Sequence, residues 1–150
     1  MLGLTMRDRE TIPDTAHVVR HLLKSEWDEY HGQVVVSMHA FYDPELSVDW
    51  LEKTSLEESY SRKPKSEAHA VFVVGRLRSI GDESVQHKPE TGNYSHSEVV
   101  CTGPLVKGKQ RPPAACRAFM MSIERTEFRP PPPREESVQE PPDAPPPGPL

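Results

Sequence analysis

His69-Ala70-Val71-Phe72-Val73-Val74-Gly75-Arg76-Leu77-Arg78-Ser79-Ile80 decides the fold class of this chain. Val71, Phe72, Val73, Val74, Leu77 and Ile80 make the segment apolar and β-branched, the composition of a strand inside a sheet. Gly75 marks a bulge in it, and Gly81-Asp82 turns the chain at its end. Downstream, Val85 to Pro89 predicts a brief pairing and Glu98 to Cys101 another strand. Gly103 to Pro113 holds two glycines and three prolines and reads as a loop. Ala114 to Glu124 predicts a last core strand through Phe119, Met121 and Ile123.

Upstream, Val18, Val19, Leu22, Leu23, Trp27 and Tyr30 recur at three- and four-residue spacing, which predicts a helix with one apolar face. Asp14 is its candidate N-cap and Gly32 its end. Gln33 to Phe41 predicts a strand through Val34, Val35, Val36, Met38 and Phe41. Asp43-Pro44 is a turn, and Leu46, Val48 and Trp50 alternate as a short strand does. Ser55-Leu56-Glu57-Glu58 is a capping box that opens a short helix, ended before Lys63-Pro64. The expected class is therefore α+β: a small, mostly antiparallel sheet packed by an N-terminal helix and a short second helix.

Composition bounds the folded part. Of 17 prolines, ten lie between Pro130 and Pro149. That stretch has too few apolar side chains to offset its ordering entropy, so residues 129–150 are expected to be a disordered, Pro-rich tail. Residues 1–11 are expected to be a flexible N-terminus and 12–128 a single α+β domain. A domain of that length buries about 65% of its unfolded surface, so its core is modest.

Before Arg129 there are 16 Lys and Arg against 19 Asp and Glu, a net of −3 within a chain of −5. A general nucleic-acid binder would be clearly basic. Three small basic clusters stand out locally: Arg62-Lys63-Pro64-Lys65, Arg76-Leu77-Arg78 and Lys107-Gly108-Lys109-Gln110-Arg111. They read as solvated loops and strand edges, or as local phosphate contacts, with Lys107, Lys109 and Arg111 the candidates. Cys101 and Cys116 form no CxxC pair, the first residues lack a basic n-region, and no apolar run reaches the roughly 20 residues a membrane span needs. A cytoplasmic protein with reduced thiols is expected.

The densest polar chemistry is His87-Lys88-Pro89-Glu90-Thr91-Gly92-Asn93-Tyr94-Ser95-His96. Pro89 and Gly92 make a turn that brings two imidazoles within reach of each other. Imidazole titrates near neutrality, so His87 and His96 would serve as general base and acid, with Asn93 and Ser95 donating to an oxyanion or phosphate oxygen. The same residues also suit a purely structural turn, in which His87 and Asn93 bond local backbone and His96 opens a strand.

Other candidates carry less. His87, His96, Glu98 and Cys101 have no zinc-site spacing, so no metal and no cofactor are expected. Gly103 to Gln110 has the glycines and lysine of a phosphate loop. Gln110 replaces its hydroxyl, however, and Arg111-Pro112-Pro113 blocks the helix that would hold the phosphate. Trp50 reads as core, and Asp49 and Glu52 as turn caps facing solvent or as functional carboxylates. His17 and His21, one helical turn apart and so metal-compatible in spacing, read as a solvated helix face, and His39 and His69 as packing or hydrogen-bonded residues. Arg129 to Arg134 would suit a polyproline-binding groove or act as a spacer.

Ala40-Phe41, Leu46-Ser47-Val48-Asp49-Trp50-Leu51-Glu52, His87-x-Pro89 and Asn93-x-Ser95-His96 together resemble a family of small uncharacterised bacterial proteins. Members share an Ala-Phe, a Leu-Ser-Val-(Asn/Asp)-Trp-Leu-Glu block and a later His-x-Pro…Asn-x-(Ala/Ser)-His segment. The likeness spans Ile12 to Val100 and has no assigned activity. It implies a bacterial cytoplasmic protein and leaves the proline-rich tail outside. Two functions follow as expectations. One is an accessory or interaction protein that acts with an operon-encoded protein partner. The other is a small metal-independent enzyme or toxin-like protein acting on RNA or a nucleotide through His87 and His96.

Overall fold

The computed structural model describes residues 9–131. Its centre is a six-stranded antiparallel sheet in the order β6-β7-β4-β1-β5-β8. The strands are β1 (His17–Leu22), β4 (Glu45–Trp50), β5 (Ala68–Val73), β6 (Glu83–His87), β7 (His96–Cys101) and β8 (Ile123–Phe128). A separate hairpin pairs β2 (Trp27–Tyr30) with β3 (Gln33–Val36). Three α-helices complete the fold: α1 (Leu56–Ser61), α2 (Val74–Arg78) and α3 (Pro113–Ser122). The class is broadly α+β, with a mostly antiparallel sheet and few helices.

The first segment corrects the expectation of an N-terminal helix. Residues 17–22 are a strand at the middle of the sheet, paired to both β4 and β5. A central strand is covered on both faces, so it shows no apolar–polar alternation. Val18 and Leu22 face the main core and Val19 the other side, all fully buried. The same spacings fit an amphipathic helix, which is why the two cannot be told apart by periodicity. Gly32 ends no helix. With His31 it forms the two-residue turn between Tyr30 and Gln33, both residues at positive φ (52° and 77°), as a tight hairpin turn requires.

Two further assignments change. The strand from His69 stops at Val73, and Val74–Arg78 turns into α2. Gly75 is no bulge. Its amide donates to the Asp14 carbonyl at 2.8 Å, and an added Cβ would stand 3.1 Å from Asp14. Residues 113–122 form α3 rather than a strand, with Pro113 in the first turn and alanines as strong helix formers. Its buried face is Cys116, Phe119 and Ser122, while Met121 is exposed. The expected strand at 33–41 is β3 followed by a 3₁₀ turn over Met38–Phe41. Ser55 caps α1 as expected, its Oγ accepting from the Glu58 amide at 3.0 Å.

The main core lies on one sheet face. Leu46, Val48, Val85 and Val99 from the sheet meet Phe41, Leu77, Cys116 and Phe119 from the elements above. Within this core sits a fully buried ion pair. Arg111 Nε and Nη2 reach the Glu83 carboxylate at 2.8 and 2.9 Å. The same guanidinium donates to the carbonyls of Phe41, Asp43, Pro44 and Val99, and it stacks over the Phe119 ring. Arg111 is thereby spent on structure and meets no solvent, which corrects its assignment as a phosphate contact.

The domain reaches slightly past its expected limits. The Glu10 amide donates to His87 Nδ1, and Arg129 binds back onto the 63–66 loop. The expected disorder of the proline-rich tail falls on residues 132–150, and that of the N-terminus mostly on residues 1–8, outside the described residues. Among the described residues no helix is long and apolar enough to cross a membrane.

The Arg111–Glu83 pair yields a prediction. Removing one partner leaves a buried charge alone and the carbonyls without donors, at a cost of about 3–5 kcal/mol. Arg111→Met should lower urea-unfolding stability by about that amount. Glu83→Leu combined with Arg111→Met should lose less than Arg111→Met alone.

Candidate functional site

The second face of the sheet carries a polar network beside a small apolar patch of Val19, Val71 and Tyr60. Alternation along β4 turns Ser47 and Asp49 to this face, because Leu46, Val48 and Trp50 take the core. Strand register then aligns neighbours: Asp49 lies opposite His96 on one side and opposite Val19 on the other, and His21 lies opposite His69. Helix α1 covers part of this face with Ser59 and Tyr60.

Asp49 is the hub of the network. It is 4% exposed. Ser59 Oγ donates to its Oδ2 at 2.5 Å, Arg62 Nη2 donates to the same oxygen at 3.2 Å, and Asn93 Nδ2 donates to Oδ1 at 2.9 Å. Burial alone would raise its pKa. The hydrogen bonds from Ser59, Asn93 and Arg62 outweigh that and hold the carboxyl below its ordinary value, so it is ionised. Asp49 therefore does not face solvent as a turn cap.

Ser59 Oγ, its proton given to Asp49, accepts from His21 Nε2 at 2.7 Å. The residue types are those of a hydrolytic triad but the order is not. The serine stands between acid and imidazole, so its proton points to a carboxylate and no base activates it. Ser59 is also fully buried. Burial presses the His21 pKa down to about 4, against a smaller upward pull from Asp49, so the ring is neutral. Beside it, Tyr60 Oη lies 2.6 Å from His69 Nδ1, and His69 Nε2 lies 2.9 Å from Glu127. Burial lowers the His69 pKa, opposed by Glu127.

An open cavity of about 620 Å³ lies where the sheet comes apart. β1 and β4 pair only at Val18↔Trp50 and Val19↔Asp49, then separate. The Arg20 side chain spans the gap, Nη1 donating to the Ser47 carbonyl at 3.1 Å. Asp49, His21 and His96 line the cavity from the sheet, the 62–66 loop from one side, and Glu90, Thr91 and Asn93 from the other. Its charged lining is Arg20, Arg62, Lys63 and Lys65 against Asp49 and Glu90, four cations to two carboxylates. Lys63 and Lys65 are exposed. Arg129 fixes their loop: its Nη1 donates to the carbonyls of Lys63, Pro64 and Ser66, and its guanidinium stacks over Tyr60.

The residues expected at the site divide. Asn93 and His96 line this cavity. Ser95 sits behind it, its Oγ donating to Asn93 Oδ1 at 2.6 Å and accepting from Arg62 Nη2 at 3.3 Å. His87 does not join them. It lies opposite Ser97 across the β6–β7 pair, and Ser97 and His96 point to opposite faces, so the two imidazoles project from opposite sides of the sheet. His87 packs edge-on against Trp50 and Tyr94; its Nε2 donates to the Tyr94 carbonyl at 2.7 Å and its Nδ1 accepts from Glu10. Lys107 and Lys109 stand on an exposed turn closed by the Val106↔Gln110 bridge, outside the cavity. No group of three or more His, Cys, Asp or Glu among the described residues is placed to hold a metal ion. Compared with protein-family models, with curated proteins and with solved structures, the chain matches none.

A pH prediction follows from His21. Its folded pKa is depressed to about 4 against an ordinary 6.5. The unfolded chain therefore binds a proton that the folded one refuses, and stability falls as pH drops from about 6.5 to about 4. At pH 5 this amounts to about 2 kcal/mol relative to pH 7, and His69 acts in the same direction. Urea midpoints at the two pH values should show the loss, and His21→Phe should shrink it.

Proposed function

We propose that the protein is an accessory binding protein of the bacterial cytoplasm, which holds a small anionic ligand in the split of its sheet and acts with a protein partner. One observation carries this: an acidic chain gathers four cations around one cavity, three of them (Arg62, Lys63 and Lys65) on the 62–66 segment that Arg129 clamps and the fourth, Arg20, on β1. Like charges brought together on a chain of net −5 raise the local concentration of anions. The cavity volume is within the range of small-molecule sites. Arg62 is already paired with the Asp49 carboxylate. Its Nη2 is shared among Asp49, Thr54 and Ser95, while Lys63 and Lys65 join no ion pair among the described residues. A partner role draws support from Tyr30, Val35 and Phe128, exposed apolar side chains of the hairpin and β8.

The alternative, acid–base cleavage of RNA or a nucleotide by His87 and His96, is disfavoured by their placement. A proton relay needs both groups within reach of one substrate, and the sheet stands between them.

Inorganic phosphate is the simplest probe. At constant ionic strength, phosphate at about ten times its Kd should stabilise the protein by about 1.4 kcal/mol, or roughly 5 °C in Tm. Lys63→Glu with Lys65→Glu should abolish the shift. A wild-type protein whose Tm responds to phosphate no more than to chloride would sink this reading.

A further inference from the structure

The cavity is not uniformly suited to an anion. Its rim is cationic, and its sheet side sets the acceptors of Asp49 and His96 beside the Arg20 guanidinium. Asp49 is an ionised carboxylate whose oxygens face donors from Ser59, Arg62 and Asn93. His96 lies directly across from it in the β4–β7 register. Its Nδ1 lies 2.8 Å from the Lys88 carbonyl, which can only accept, so Nδ1 carries the proton. In that tautomer Nε2 is an acceptor, and its one hydrogen bond among the described residues, to Ser47 Oγ, is long at 3.4 Å. His96 is 8% exposed and lines the cavity.

The same logic applies to His21. Ser59 gives its proton to Asp49, so Ser59 Oγ can only accept from His21 Nε2. Nδ1 is thereby left as an acceptor, buried and without a partner among the described residues. His21 is 9% exposed and also lines the cavity. His21 Nδ1 is sealed from solvent, so the acceptor of the two that a ligand can reach is His96 Nε2; a donor that pairs better with a weakly bonded buried acceptor recovers free energy.

A bare anion uses only part of this lining. It pairs with Lys63 and Lys65 at the rim and leaves the acceptors of the floor unused. A ligand that carries donors beside its anionic group satisfies both. Directly opposed residues on antiparallel strands have Cβ atoms about 5 Å apart, a spacing that neighbouring hydroxyls of one sugar ring can serve. We infer that the cavity takes a phosphorylated polyhydroxy compound, with the phosphate at the rim by Lys63 and Lys65 and hydroxyls donating to His96 and Asp49. This rests on the anion-binding reading above. A free sugar phosphate and the ribose phosphate of a nucleotide share the chemistry.

Calorimetric titration of the full chain tests it, with inorganic phosphate, ribose, ribose 5-phosphate and adenosine 5′-monophosphate as separate titrants. At least one ester should bind about tenfold or more tighter than inorganic phosphate, the gain expected of one or two satisfied buried acceptors. Which ester is tighter tells the free sugar phosphate from the nucleotide. In His96→Leu the ratio of ester to phosphate affinity should fall toward one. In His96→Gln, whose side-chain carbonyl can accept where Nε2 does, most of the ratio should remain. Equal affinity of phosphate and both esters for the unmutated protein overturns the inference and leaves anion binding standing. Binding of ribose as tight as its 5-phosphate also overturns it, because the rim then contributes nothing. Failure of every phosphate to bind removes both readings.

Discussion

The Arg111–Glu83 pair is the constraint on which the arrangement of this molecule hangs. It joins four parts of the chain that are distant in sequence: the 41–44 turn through its carbonyls, β6 through Glu83, β7 through the Val99 carbonyl, and α3 through Phe119. Burying two charges is costly in a low-dielectric interior, and the pair is tolerable only because nearly every donor of the guanidinium is used. Such a pair contributes less net stability than an apolar replacement could. What it supplies is selectivity. A packing that moved α3 or the 41–44 turn would strand a charge, so competing arrangements of the same apolar residues are excluded.

The opposite face obeys the same rule with a different result. Asp49 is buried there with Ser59, Asn93 and Arg62 around it, yet the network does not close. His21 Nδ1, Arg20 Nε and Arg62 Nε have no partners among the described residues. A small apolar patch of Val19, Val71 and Tyr60 is buried on this side, apart from the main core. One face of the sheet thus holds the fold together. The other carries polar groups around a gap that β1 and β4 leave by parting after two residue pairs. The incomplete pairing is what makes room for a cavity, and Arg20 keeps the Ser47 carbonyl satisfied within it.

Legibility in the sequence followed how each element is covered. β4, β6 and β7 could be read because they alternate or are short and bounded by turns, and α1 because Ser55 and Glu58 announce it. β1 could not: covered on both faces, it lost the alternation that identifies a strand and kept spacings a helix shares. α3 was concealed by Phe119, Met121 and Ile123, whose period of two is accidental, since Met121 is exposed and Ile123 belongs to the next strand. The more telling signals there were Pro113 and the alanines. At the site, Asn93 and His96 were identifiable from the density of polar residues in one turn. Their partners were not, because Asp49, His21 and Arg62 come from three other elements. Once β4 is read as a strand, though, the alternation Leu46, Val48, Trp50 already sends Asp49 to the face away from the core.

Proximity in sequence misled about His87 for a related reason. A turn brings two residues close along the chain, but a sheet assigns each to a face by parity. His87 pairs with Ser97, and one residue of offset places His96 on the other side. The two histidines consequently have opposite fates. His87 has both nitrogens occupied by backbone groups and its ring between Trp50 and Tyr94, so it has no capacity left for a ligand. His96 spends one nitrogen on the Lys88 carbonyl and turns the other toward Ser47 and the cavity. An imidazole anchored through one nitrogen has a defined tautomer and a fixed orientation, the condition for selective recognition of a donor. Asp49 is likewise fixed, held by donors from Ser59, Arg62 and Asn93. The polar groups around the cavity are therefore fixed in orientation by bonds made within the protein itself.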